Sequence, residues 1–235
     1  MITIRRSSER GHADLGWINS YYTFSFAGYK DPAHMGFRAL RVINDDRIAP
    51  GRGFGAHAHR DMEILTYPLE GGLTHRDSMG QTQTFGAGTI QSMSAGTGVI
   101  HSEFNASDRE AGHFLQIWIE PAVMDAEPSY QQISFEPEET RGRFRLLAAP
   151  YGSNHGEAVK INQDALVYAA VLGEGESLNR ELAPGRHAWV QVARGNVSMD
   201  GQALAEGDGA SISGEQDLSF TGGPGGSEFL FFDLA

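Results

Sequence analysis

An internal repeat of glycine-marked turns constrains this chain more than any other feature of its sequence. In the first half a strand ends at Gly71, Gly80-Gln81 follows at a turn, and Gly86-Ala87-Gly88 leads into Thr89-Ile90. The same order recurs in the second half as Gly195, Gly201-Gln202 and Gly207-Asp208-Gly209 ahead of Ala210-Ser211-Ile212. The step from Gly-Gln to the next glycine is identical, 80 to 86 and 201 to 207, as expected of one supersecondary unit used twice. The apolar runs Phe114-Leu115-Gln116-Ile117-Trp118-Ile119, Trp189-Val190-Gln191-Val192 and Phe229-Leu230-Phe231-Phe232 are short and bounded by turn residues. Such runs read as strands, and no stretch sustains a helical period. The expected fold is therefore all-β, two tandem antiparallel β-barrels of jelly-roll type, with the first domain over residues 1–130 and the second over 131–235. Residues 121–160, rich in Pro, Glu, Gly and Asn, are expected to supply a linker and partner-facing loops.

Composition excludes several chemistries. The formal charge is −12, and the 18 Lys and Arg residues are scattered rather than clustered, which argues against direct nucleic-acid binding. The absence of cysteine removes thiol catalysis, thiolate metal sites, Fe–S clusters and disulfides. Met1-Ile2-Thr3-Ile4-Arg5-Arg6-Ser7 has no apolar stretch behind its arginines, and nothing approaches the roughly 18 apolar residues of a membrane span. A cytoplasmic protein without a membrane segment is expected.

Two short signatures carry the chemistry. His57-Ala58-His59 and His101-Ser102-Glu103 each place metal-binding side chains at i and i+2, which on a strand project to one face. Two such strands facing each other would deliver three imidazoles and a carboxylate to one point, an N- and O-donor set for a borderline divalent metal. Glu103 could instead stand outside the ligand set and orient an imidazole, and Glu63 is the rival carboxylate; the residues alone leave this open. His12, His34, His75, His113, His155 and His187 lack a partner at ligand spacing and read as structural. Asn105 reads as a turn or supporting group. The aromatic run Tyr21-Tyr22-Thr23-Phe24-Ser25-Phe26 and the run Phe229 to Phe232 read as core or inter-domain packing, with one ring at the pocket as the alternative. Shifting His57 and His59 by the local offset of 124 (71 to 195) and His101 and Glu103 by that of 121 (80 to 201) reaches Glu181, Ala183, Gly222 and Pro224, so the second domain is expected to bind no metal.

The stretch Gly51-x5-His57-x-His59-x3-Glu63 resembles the first motif of the cupin superfamily. Gly96-x-Gly98-x2-His101-x3-Asn105 resembles the second, with glycine where that motif usually has proline. More narrowly the chain resembles the pirin family of bicupins, through Gly11-His12 to Trp17, Thr23-Phe24-Ser25-Phe26, Gly36-Phe37 to Val42, Asp77-Ser78-Met79-Gly80 and both histidine motifs. Ala58 departs from the proline common there but removes no ligand. The resemblance implies one metal in the first barrel, held by His57, His59, His101 and Glu103, with Glu63 in support. Fe(II) is the expected ion, and Mn, Ni, Co, Cu or Zn are the alternatives.

The activity implied is that of a quercetin 2,3-dioxygenase, in which a flavonol and O2 give a depside and carbon monoxide. Glu103 would act as the catalytic residue by accepting the proton of the substrate 3-hydroxyl. The rival expectation, also drawn from pirins, is a non-enzymatic metal- or redox-sensing regulatory protein that binds another protein. A third is an isomerase or other small-molecule enzyme using the metal only as a Lewis acid. Consumption of O2 separates the first from both others.

Overall fold

Alternation of buried and exposed side chains governs the strands that matter most. Along Val99–Asn105 the residues Val99, His101, Glu103 and Asn105 are buried, while Ile100 and Phe104 between them are 55% and 41% exposed. This two-residue period turns both site residues of the strand inward together. The computed structural model describes residues 1–235, whose only helical elements are the single 3-10 turns Ser7–Glu9 and Pro137–Glu139. No helix is long and apolar enough to cross a membrane.

The chain forms two compact units. One comprises Gly11–Ser134 with Val159–Gln163, and the other Met1–Arg10, Phe135–Ala158 and Asp164–Ala235. The first unit holds two antiparallel sheets. Its larger sheet runs in the order Ser129–Ser134, Thr89–Ser94, Glu63–Glu70, Gly112–Ile119, Leu40–Ile48, Ile18–Tyr22, Gly11–Asp14. Its smaller sheet runs Gly53–His59, Val99–Asn105, Gly72–Asp77, Thr82–Gly86. One apolar cluster contains Ile18, Ile48, Leu73, Phe85 and Phe114, with Trp17 and Phe54 packed on it. A second contains Ile64, Met93 and Val99, with Trp118 packed on it.

The second unit is built around two long strands. Asp217–Leu234 pairs in turn with Ser177–Glu181, His187–Met199 and Ala165–Leu172. Strands of this length bend, and here the register shifts between Val192 and Arg194 and again between Gly195 and Val197. Phe220, Phe229 and Phe231 fill the core with Val190, Val192 and Met199, and the rings of Phe220 and Phe229 stack at 5.0 Å. The Phe229–Phe232 run is core, as expected. Ile2–Arg5 pairs with Gly209–Ser213, which makes the N-terminal residues part of this unit. The 121–160 stretch is more structured than its composition implies: Ser129–Ser134 extends the larger sheet of the first unit and Arg145–Pro150 pairs with Ala165–Leu172. Turn-forming residues set the ends of those strands, but the short segments between them, SYQQIS and RLLAAP, pair once a sheet edge is available.

Gly53 fixes the approach of the two site-bearing strands. A Cβ built there would lie 2.1 Å from the Glu103 carbonyl oxygen and 2.5 Å from Phe104 Cα, so only glycine fits this crossing without backbone movement. Gly53→Ala is expected to cost about 1–3 kcal/mol through overpacking, read as a lower urea midpoint with an unchanged slope.

Candidate metal centre

Strand register brings the two histidine signatures together. Gly53–His59 pairs antiparallel with Val99–Asn105, placing His57 opposite His101 and His59 opposite Val99. The register shifts between His101 and Glu103, a bulge of the kind that re-aims a side chain next to a site. The ligand atoms of His57, His59 and His101 lie within 4.8 Å of one another. His57 Nε2 and His101 Nε2 are 3.1 Å apart. His59 packs edge-on against the Trp118 ring at a centroid distance of 4.9 Å, which holds its imidazole toward the other two.

Hydrogen bonds set the ring nitrogens. His57 Nδ1 donates to the Gly55 carbonyl at 2.8 Å, leaving Nε2 with its lone pair facing the cluster. His101 Nδ1 lies 3.4 Å from His75 Nδ1, and His75 Nε2 donates to Asp77 Oδ2 at 2.9 Å. Burial lowers His59 to about 4, and burial with the nearby imidazoles lowers His101 to about 2. Near neutral pH both therefore present unprotonated nitrogens, the form a metal requires.

Glu103 is buried on the same strand. Its Oε2 accepts from Gln116 Nε2 at 3.0 Å, while Oε1 has no hydrogen-bond partner. Burial first, and then the charge of Asp46, push its carboxyl up to about 7, against the opposing Thr66 and Gln116 hydrogen bonds. Its ligand atom groups with those of His101 and His75, so His101 is common to both triads. Glu63 is engaged elsewhere: Ser94 Oγ donates to one carboxylate oxygen and Asn162 Nδ2 donates to the other at 3.1 Å. Asn105 locks a turn, with Nδ2 donating to the Ile48, Ala49 and Glu110 carbonyls and Oδ1 accepting from Ser107 N–H.

Two imidazole lone pairs facing each other at 3.1 Å, together with a buried carboxylate oxygen lacking any donor, form an arrangement that a divalent cation satisfies. In the second unit Glu181 ends the strand Ser177–Glu181, and Ala183, Gly222 and Pro224 offer no donor side chain.

A cavity of about 460 Å³ opens onto His57, His59 and Glu103. Trp17, Tyr22, Phe26, Phe54 and Trp118 wall it, and Ser20, Asn44, Asp46 and Gln116 supply polar groups. Trp17 meets Phe54 edge-on at 5.3 Å, as Phe26 meets Trp118, giving rigid apolar walls. Besides Glu103, two cavity-lining residues carry buried polar atoms without hydrogen-bond partners, Asn44 Oδ1 and Trp118 Nε1. The Tyr21–Phe26 run thus contributes both core, at Phe24, and cavity wall, at Tyr22 and Phe26.

Four residues near the centre escape the ligand-spacing criterion. His75 reads as an isolated structural histidine in the sequence, yet it contacts His101; its signal is Asp77 two residues on, which shares its strand face. Asn44 and Asp46 lie on the buried strand Leu40–Ile48, where a run of polar residues interrupts apolar ones. Gln116 likewise interrupts the apolar run of Gly112–Ile119, on the face of Phe114 and Trp118.

Paired jelly-roll units, one of them enclosing three imidazoles and a carboxylate, define a two-domain cupin. The chain belongs to the pirin family: residues 3–119 match the Pirin model and residues 146–234 match that of the quercetinase C-terminal cupin domain. It is 45% identical to the quercetin 2,3-dioxygenase of Escherichia coli K12 over 100% of this chain and 99% of the relative. It is 40% identical to a pirin-like protein of Caulobacter vibrioides over 94% of each. The solved structure of the E. coli bacterial pirin YhhW in complex with nickel(II) superposes with a TM-score of 0.93 at 45% identity, covering 100% of this chain and 99% of that one.

Asp46 gives the site a measurable pH signature. Burial raises its carboxyl to about 7, the nearby Asp45 charge adds to this, and the Ser20 hydroxyl it accepts opposes it. Between the ordinary carboxylate range and about 7 the folded metal-free protein holds a proton at Asp46 that the unfolded chain releases, so this group's contribution falls as pH rises through that window. Asp46→Asn keeps the acceptor for Ser20 without the charge. Its thermal midpoint is expected to exceed that of the parent at pH 8, with the difference closing by pH 4, in calorimetry of metal-free protein.

Proposed function

We propose that this protein is a metal-dependent dioxygenase that cleaves a flavonol with O2 to a depside and carbon monoxide. The observation that carries the reading is the meeting of three imidazoles and a buried carboxylate with an aromatic-walled cavity of about 460 Å³. Full-length similarity to a protein named quercetin 2,3-dioxygenase and to a nickel-bound pirin supports it.

His57, His59, His101 and Glu103 would hold a single divalent ion, with Fe(II) as the resident metal. Mn, Ni, Co, Cu and Zn suit the same borderline donors. When bound, the ion supplies Lewis acidity toward a substrate hydroxyl and a redox-capable centre for the reaction with O2. The chain's own residues do the rest. Trp17, Phe54 and Trp118 hold a flat ring system and exclude water. Gln116 orients the Glu103 carboxyl, which takes the proton of the substrate 3-hydroxyl. Asn44 Oδ1 and Trp118 Nε1 offer one acceptor and one donor to the outer hydroxyls and carbonyl of a polyphenol. In the overall balance both atoms of O2 enter the depside, and the excised ring carbon leaves with its oxygen as carbon monoxide.

Protein loaded in turn with Fe, Mn, Ni, Co and Cu is expected to bleach quercetin in aerobic buffer with O2 uptake and carbon monoxide release, and to stop under anaerobic conditions or chelation. Elemental analysis should return one metal per chain, lost in the His57→Ala, His101→Ala double variant. Glu103→Gln should lower turnover about 10²–10⁴-fold while retaining metal, because an amide offers an oxygen but takes no proton. Absence of carbon monoxide with all five metals, together with metal-dependent binding to a cellular protein, would replace the enzyme with the regulatory reading.

A further inference from the structure

Behind His101, on the side away from His57, lies a buried chain of polar groups that the reaction above does not use. Gly72–Asp77 pairs with the opposite edge of Val99–Asn105, setting His75 across from Glu103 and Asp77 across from His101. The side chains of His75 and Asp77 are both fully buried. Tyr130 covers the His75 ring at a centroid distance of 4.7 Å. Asp77 is itself fixed: its Oδ1 accepts the N–H groups of Met79 at 2.9 Å and Gln81 at 3.0 Å, which leaves Oδ2 for His75 Nε2.

Proton placement along this chain is determined. A carboxylate accepts, so His75 Nε2 carries a hydrogen and His75 Nδ1 presents a lone pair. Across 3.4 Å, His101 Nδ1 must then be the donor, which leaves the lone pair of His101 Nε2 facing His57. Both nitrogens of His75 are thereby engaged, one by Asp77 and one by His101, so His75 is not itself a donor to an ion held by His57, His59 and His101.

We propose that Asp77 and His75 are positioning residues for the metal centre, a carboxylate–imidazole relay that selects the His101 tautomer and aims its Nε2 lone pair into the ligand cluster. The inference rests on the metal-binding reading of His101. A group that holds a ligand from outside the ligand set sharpens metal affinity without touching the metal. Asp77→Asn makes the reversal specific. An asparagine Oδ1 still accepts from Met79 and Gln81, but its NH2 faces His75 Nε2, which forces the proton to His75 Nδ1 and sets it against the His101 Nδ1 proton.

The test is nickel(II) affinity by calorimetry combined with ¹⁵N histidine spectra of the metal-free protein. The parent should show His75 as the Nε2–H tautomer and His101 as the Nδ1–H tautomer. Asp77→Asn and His75→Leu should each bind nickel about 10–100-fold more weakly. His75→Asn, whose Oδ1 can stand near the former Nδ1 as an acceptor, should recover most of the loss. Parental affinity in both Asp77→Asn and His75→Leu, or a parental His101 carrying its proton on Nε2, would overturn the relay. Should Asp77→Asn fail to fold, the His75→Leu and His75→Asn pair decides alone, equal affinities counting against the proposal. A parent that binds no nickel would instead sink the metal reading, and the tautomers would still report on the relay.

Discussion

The candidate centre depends on how closely two strands approach at Gly53. With no side chain there, Gly53–His59 lies against the backbone of Glu103 and Phe104, and the pairing of His57 with His101 follows from that register. A slip of one residue would turn His57 and His59 to the opposite face of the strand. The bulge after His101 then adjusts Glu103 separately, so that one strand delivers an imidazole and a carboxylate in different directions. Hydrogen bonds from outside the cluster complete the aim, through the Gly55 carbonyl, His75 and Gln116. Placing these groups on paired strands rather than loops gives the centre its rigidity.

Burying such a site has an electrostatic cost. Asp46 and Glu103 are both pushed up to about 7, and His59 and His101 are held well below the ordinary histidine value. Each shift records a charge that the interior disfavours. The second unit has no comparable cluster of imidazoles and carboxylates at its centre, which Phe144, Phe220, Phe229 and Phe231 fill in mutual ring contact. The two units illustrate alternative uses of one fold, an aromatic core that contributes stability and a polar interior that gives some of it up for chemistry.

Much of this arrangement is legible in the chain because it is local. The turn glycines of the repeat, the two-residue periods and the i, i+2 histidines all act within a few residues, so the all-β fold and the convergence of His57, His59 and His101 could be anticipated. Contacts set by sheet order are not visible in that way. His75 reaches His101 only because Gly72–Asp77 borders the far edge of Val99–Asn105. Asn44 and Asp46 meet the cavity through Leu40–Ile48, in the other sheet, and nothing in their spacing names Glu103 as a neighbour. The rivalry of Glu63 and Glu103 was undecidable from spacing for the same reason, since what separates them is that Ser94 and Asn162 occupy Glu63 while Glu103 Oε1 has no donor.

Cation binding would offset the electrostatic cost at its source. A ligand that binds only the folded state stabilises it by RT ln(1 + [L]/Kd), about 2.7 kcal/mol at one hundred times Kd. A divalent cation beside Glu103 favours the ionised carboxylate, so the upward shift of that group should reverse on binding, with release of any proton it holds. Asp46 is electrostatically coupled to Glu103 and shares that gain without needing to be a ligand. Buried acidic groups this close to three imidazoles would be a poor way to build a core, but they suit an interior whose stability is completed by a bound ion.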